Sequence, residues 1–306
     1  MASLFSKIKP KETLVGTIVL LAVALVLHFM PWSVMIIACF ATLPGIILWY
    51  RSIHSFGLAT LITILLSTLT GDLFVMTFMI ILLALSAVIA QLLKQRASKE
   101  HILYVATLVT SIITIGAIMI LQGLKQLPYA QVLLEPYQKI VNQMIEMQNL
   151  DQQAREVLNN SVHQLAVQLP AMIVVTIAIY LIITLMIIFP ILRKFKIATP
   201  VFRPLYLWQM KRSLFIIYAI ALLVSVTTEP ATTINSIGIN FQIVLGFLLV
   251  IQGLSFIHYF TTIKRMPVAV SVIFIVLGII FYPMTRLIGL LDLGLNLKSM
   301  IKNDKR

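Results

Sequence analysis

A chain of 306 residues with 60% hydrophobic and only 11% charged side chains, and a mean hydropathy of +1.03, lacks the polar surface of a soluble domain, which carries roughly 25% charged residues. The net charge of +13 first suggests nucleic acid, but the Lys and Arg residues sit in short groups between apolar runs, a placement that excludes nucleic acid and suits anionic lipid headgroups. The lone cysteine, Cys39, lies inside an apolar run and excludes a disulfide framework or a cysteine-based metal site within one chain.

In chain order, Lys7, Lys9 and Lys11 precede the first apolar run, and hydrophobicity continues past it with no small-residue cleavage site. This predicts a retained first span, not a cleaved signal. Apolar runs follow at 13–30, 34–50, 56–69, 73–93, 102–121, 171–192, 214–226, 237–260 and 268 to about 297. Only helices or closed barrels satisfy their backbone groups in lipid. Barrel strands alternate polar and apolar residues, and these runs do not, so helices are expected. The shorter runs, 56–69 and 214–226, borrow Thr70, Ser213 and Thr227 from their flanks.

Two segments are not spans. Residues 129–169 are polar with a helical stripe, Tyr137, Ile140, Val141, Met144 and Met147, continued by Val157, Leu158, Val162 and Leu165. Pro136 suits a helix start and Pro170 a boundary, which predicts an amphipathic helix or helical hairpin on the outer face. Residues 200–212 mix Phe202, Tyr206 and Trp208 with Arg203, Lys211 and Arg212, as the membrane interface prefers.

Cationic residues orient the chain. With the N-terminus in the cytoplasm, the inner segments hold Arg51; Lys94, Arg96 and Lys99; Arg193, Lys194, Lys196, Arg203, Lys211 and Arg212; and Lys264 and Arg265. The outer connections around Pro31, Gly71 and Glu229 hold none. A ninth full crossing would leave Lys298, Lys302, Lys305 and Arg306 outside, and Pro283 and Arg286 interrupt the last apolar stretch. A kinked or re-entrant pair of half-helices would return that tail to the cytoplasm. The expected fold is therefore all-α: a polytopic bundle of eight spans plus this ninth segment, in a bacterial cell membrane. Its regions are an N-terminal five-span bundle (1–122), an extracytoplasmic helical segment (123–169) and C-terminal spans with basic cytoplasmic loops (170–306).

Few side chains in the spans carry chemistry. Asp72 follows Gly71 between two spans, as a helix cap or as a polar group at an outer cavity. Arg286 and Asp292 lie within the last apolar stretch, where a charge costs about 2.5–3.5 kcal/mol on insertion scales. Six residues apart on one helix, they should not pair directly. Gln242 and Gln252 share a helix face ten residues apart, as packing groups or ligand contacts. These five form the candidate polar intramembrane site. His28 and His258 sit near span ends, and His163 and the glycosylation-like Asn159-Asn160-Ser161 fall in the outer segment. HExxH, GxSxG, Walker A and GxGxxG elements are absent. No enzyme activity, cofactor or metal is expected, and the few buried acids do not support a proton-driven pump.

Ile251-Gln-Gly-Leu-Ser-Phe-Ile-His-Tyr-Phe, Lys264-Arg265 and Gly289-Leu-Leu-Asp-Leu-Gly-Leu-Asn-Leu, together with Leu43-Pro44-Gly45, Tyr50-Arg51 and Phe56-Gly57, resemble the YybS-like family of predicted bacterial membrane proteins of unknown function. The resemblance covers nearly the whole chain. Its ending would carry an acidic residue at Asn296 and Arg at Lys298. The N-terminal pattern is also distantly similar to substrate-capture subunits of energy-coupling-factor transporters. That likeness implies a transport-related small-molecule capture subunit needing a membrane-protein partner. The alternative is a membrane scaffold or regulatory partner docking through the outer helix or basic loops.

Overall fold

A computed structural model describes residues 8–129, 132, 134–147, 151–229 and 232–303. Lys7, Lys305 and Arg306 lie outside the described residues, as do the side chains of Asn159, His163 and Lys302. The described residues are all-helical: α1 (Pro10–Phe29), α2 (Val34–Arg51), α3 (Ile53–Thr68), α4 (Leu73–Lys94), α5 (Lys99–Gly123), α6 (Glu135–Met147), α7 (Gln152–Lys194), α8 (Ser213–Thr227), α9 (Thr233–Ile263), α10 (Val268–Ile280), α11 (Tyr282–Leu295) and α12 (Leu297–Asn303). Short 3₁₀ turns occupy Pro31–Ser33 and Leu205–Leu207.

Large apolar side chains face outward as well as inward: Leu14 and Ile18 on α1, Leu108 and Ile112 on α5, Ile216 and Leu223 on α8. Such helices are stable where the surrounding solvent is itself apolar, so this is a membrane protein of several apolar helices. The expectation of eight full spans is corrected. Among the described residues five helices, α1, α4, α5, α7 and α9, are long and apolar enough to cross, or six when α10 and α11 count as one broken span. Ile36–Arg51 of α2, α3 and α8 are apolar but of 10–17 residues. The 16 residues of α3 reach about 24 Å, against a hydrocarbon thickness of about 30 Å. Ser52, extended at φ −159, cuts α2 from α3 and caps α3 through Ser55 N–H.

By internal contacts the chain forms two units, Met1–Leu127 with Thr176–Phe202 and Pro128–Val175 with Arg203–Arg306. In the first, α1 to α4 pack around Leu20, Leu27, Ala59, Val75 and Met79, and Ile46, Ile89, Leu185 and Phe189 form a second core. Gly45 lets α4 approach closely, since a Cβ there would sit 2.7 Å from Ser86 Cβ. Arg51 on α2 pairs with Glu12 on α1 at 2.8 Å.

In the second unit, α8, α9 and α11 surround Tyr218, Leu245, Leu249 and Leu293. The chain bends by 104° between α10 and α11. Pro283 sits in the first turn of α11, where its missing N–H is tolerated. Beyond the bend, α11 lies on α9 with Gly289 over Leu249 and Gly253 over Thr285, and α12 reaches the 203–212 loop. The tail thus ends at the same end of α9 as the basic residues Lys211, Arg212, Lys264 and Arg265.

The boundary expected at Pro170 is also corrected, because α7 runs through it for 43 residues. The reason is a side chain of α9. Asn240 Oδ1 accepts from Ala171 N–H at 2.9 Å and its Nδ2 donates to Val167 O at 2.8 Å. One amide thereby supplies both an acceptor and a donor to the turn of α7 that the proline disturbs. α6 is amphipathic as expected, but Tyr137, Ile140, Met144 and Met147 of the expected stripe are exposed, and the buried residue is Ile145, which lies outside that stripe.

Candidate functional site

The five candidate residues fall into three places. Asp72 belongs to the first unit. Gly71, at φ +67, turns the chain, and Asp72 Oδ1 accepts from Phe74 N–H and Val75 N–H at 2.9 and 3.3 Å, capping α4. Such a cap contributes roughly 0.5–2 kcal/mol. Its Oδ2 lies 3.3 Å from His28 Nδ1 at the end of α1. Both face a cleft of about 500 Å³ with Thr70, Phe74, Leu121 and Gln126. The His28 partnership was not anticipated. The signal was available, since His28 ends one span and Asp72 begins another at the same level.

Gln252 and Asp292 meet in the second unit, each 1% exposed. Gln252 Oε1 accepts from Met210 N–H at 2.9 Å, and Gln252 Nε2 donates to Asp292 Oδ2 at 2.5 Å. Asp292 Oδ1 accepts from Lys298 N–H at 3.1 Å. The Lys298 ammonium, which sequence reasoning treated as tail charge, turns inward. It donates to Trp208 O at 2.7 Å and Ser255 Oγ at 2.8 Å, with Tyr206 O at 3.4 Å. Burial lowers its pKa from the ordinary lysine value, and the Asp292 carboxylate opposes that shift. Asn296, where the family pattern suggested an acid, adopts the left-handed conformation at φ 56. Asn tolerates that conformation, and the reversal lets Lys298 fold back under Asp292. Every member of this network has a partner and the carboxylate has two, so its chemistry is that of a fastening.

Arg286 and Gln242 form the third place. Arg286 sits on the second turn of α11 beside Gly246, where a Cβ would stand 3.4 Å from its Cδ. Gln242 Oε1 accepts from Ser225 Oγ at 3.1 Å. With Gln164 and Gln168 of α7, Ser225 of α8 and Ile239 and Ile243 of α9, they line an open cleft of about 330 Å³. Among the described residues the half-buried guanidinium has no ion pair or hydrogen bond. Gly246 lies thirteen residues into α9, or about 20 Å along its axis, so the cation stands well inside the span. Arg286 and Asp292 are on one helix but in different sites, as their spacing requires. Among the described residues no group of three His, Cys, Asp or Glu could hold a metal ion.

Residues 17–293 match the family described as "Predicted membrane protein (DUF2232)". The chain is also similar to the "Uncharacterized protein YybS" of Bacillus subtilis (strain 168), 32% identical over 137 residues that make up 44% of this chain and 44% of that protein. The matched part thus spans less than half of that relative's length. No solved structure matches.

Proposed function

The chain belongs to the DUF2232 family of predicted membrane proteins, and from that premise we propose that it is a transport-related capture protein, not an enzyme, that holds a small polar solute in the Arg286 cleft and acts with a membrane-protein partner. The observation that carries this reading is Arg286 itself. A guanidinium deep in an apolar helix is expensive to insert, and its neighbours in the cleft are uncharged amides and a hydroxyl. It sits just beyond a broken helix, the kind of element that lines solute sites near the bilayer midplane in transporters. The cleft is at the small end of ligand-site volumes, about 300–1,000 Å³.

The test is binding to the purified chain in lipid nanodiscs, using a panel of anionic, cationic, zwitterionic and neutral solutes. A solute held by the folded chain raises its melting temperature with concentration. The rival reading, a scaffold or regulatory protein, is favoured by the exposed apolar stripe Tyr137, Ile140, Met144 and Met147 on α6. A silent panel together with stable co-purification of another membrane protein would move the conclusion to that rival.

The capture reading places the chain in the bacterial cell membrane with its N-terminus and basic loops in the cytoplasm, facing anionic headgroups, and the Gln242 end of α9 outward. In a Cys39→Ala background, a cysteine replacing exposed Gln153 should react with a membrane-impermeant maleimide on intact cells. One replacing exposed Lys211 should react only after permeabilisation. The reverse pattern would invert the topology.

A further inference from the structure

We infer that the Arg286 cleft selects a compact organic anion whose acidic group sits on the guanidinium and whose short apolar body lies against Ile239 and Ile243. This rests on the capture reading for the source of the anion, but its chemistry is argued from the donors.

The guanidinium presents N–H donors in a planar fork and no acceptor, and among the described residues none of these donors has a partner. Gln242 adds a side-chain amide to the same cleft, its Oε1 3.1 Å from Ser225 Oγ, a hydroxyl that also donates to Leu222 O at 2.9 Å. The cleft therefore presents a positive charge with directed donors from α11 and a neutral amide from α9. The matching ligand group is an anionic acceptor with two oxygens, which a planar guanidinium holds by two parallel hydrogen bonds. Cations are disfavoured by repulsion, and among the described residues no carboxylate pairs with Arg286 to cancel it. Neutral amides can use the donors but gain no charge assistance. Ile239 and Ile243, one helical turn apart on α9, supply an apolar wall in the same cleft. Gln164 and Gln168, also one turn apart on α7, supply amides that can meet a second polar group.

The acidic group could belong to a free solute or to an anionic lipid headgroup, and the experiment separates the two. The full chain is placed in phosphatidylcholine nanodiscs at constant ionic strength. Its melting temperature is followed with butyrate, butyramide and butylamine, and with benzoate, benzamide and benzylamine. Each set shares one body and varies only the charge. At least one acid should stabilise the chain while its amide and amine do not. Arg286→Gln should weaken that acid about ten- to hundredfold, the range for a lost charge-assisted hydrogen bond. Arg286→Lys should retain part of the effect. Each variant's melting temperature without ligand shows that it is folded.

If the acids are silent but phosphatidylglycerol stabilises the chain in an Arg286-dependent way, the anion inference stands and the solute-capture reading fails. If a neutral or cationic solute binds equally well to Arg286→Gln, capture stands and the anion inference is overturned. Silence of both acids and of phosphatidylglycerol also overturns it.

Discussion

Gly289→Ala should collapse the packing of the second unit, giving a variant that aggregates on detergent extraction or melts far below the parent. A Cβ at Gly289 would overlap the Leu249 carbonyl oxygen and stand 2.9 Å from Gly253 N. At Gly253 a Cβ would overlap the Thr285 carbonyl oxygen and meet Thr285 Cγ2 at 2.9 Å. These obstacles are backbone, so no rotamer change relieves them, and α11 must lift off α9. Overpacking usually costs about 1–3 kcal/mol, and a contact that only backbone separation can relieve belongs at the top of that range or above it. Gly116→Ala is the control. It lies mid-helix in α5 with nothing within 4 Å of a new Cβ, so alanine should be neutral or gain about 0.5–1 kcal/mol. Thermal unfolding followed by fluorescence-detected size exclusion measures both. A Gly289→Ala chain melting with the parent would mean that α11 does not lie on α9 as described. The same variant should lose any Arg286-dependent binding, because the α11 to α9 contact carries the guanidinium to Gln242.

The composition and the basic residues between apolar runs were enough to read an all-helical membrane chain, because lipid leaves the backbone few alternatives. The break near Pro283 was also legible, since a proline in an apolar run marks the start of a new helix better than its middle. The turn's size was not. A 104° reversal depends on the Gly253 and Gly289 contacts, which join residues distant in sequence. For the same reason Lys298 looked like solvent-facing tail charge, although the reversal at Asn296 turns it under Asp292. Pro170 misled in the opposite direction. Its cost to α7 is offset by Asn240, a residue seventy positions away that nothing local identifies. The span count failed on length: apolar composition marks a helix as compatible with lipid, but Ser52 and the Pro31–Ser33 turn decide how far α2 and α3 extend. Of the candidate site, charge rarity located Arg286 and Asp292, but only the fold could assign one to a cleft and the other to a closed network.

That network has a direction, and reversing it is the sharpest test of the fastening. Met210 N–H donates to Gln252, Gln252 donates to Asp292, and Lys298 N–H donates to the other Asp292 oxygen. Asp292 must therefore accept twice. In Asp292→Asn the new side chain can accept from Lys298, but its NH₂ then faces the Gln252 NH₂. Gln252 cannot flip without turning its own donors toward Met210 N–H. A buried donor left without an acceptor costs about 1–3 kcal/mol, and a vanished charge-assisted bond adds to it, so the loss should be roughly 2–4 kcal/mol. Gln252→Glu alone should fail for another reason. It removes the donor that Asp292 Oδ2 accepts from and sets two buried carboxyl groups against each other, so this single variant should also melt well below the parent. In the double variant Gln252→Glu with Asp292→Asn, the glutamate accepts from Met210 and from the asparagine NH₂, while the asparagine oxygen accepts from Lys298. Every donor regains an acceptor and the net charge is unchanged. The double variant should recover most of the parent melting temperature that either single change loses, with a coupling of more than about 1 kcal/mol between the two changes. Additive losses would mean that Gln252 and Asp292 do not share this bond, and that the bent helix pair is held at its C-terminal end by something else.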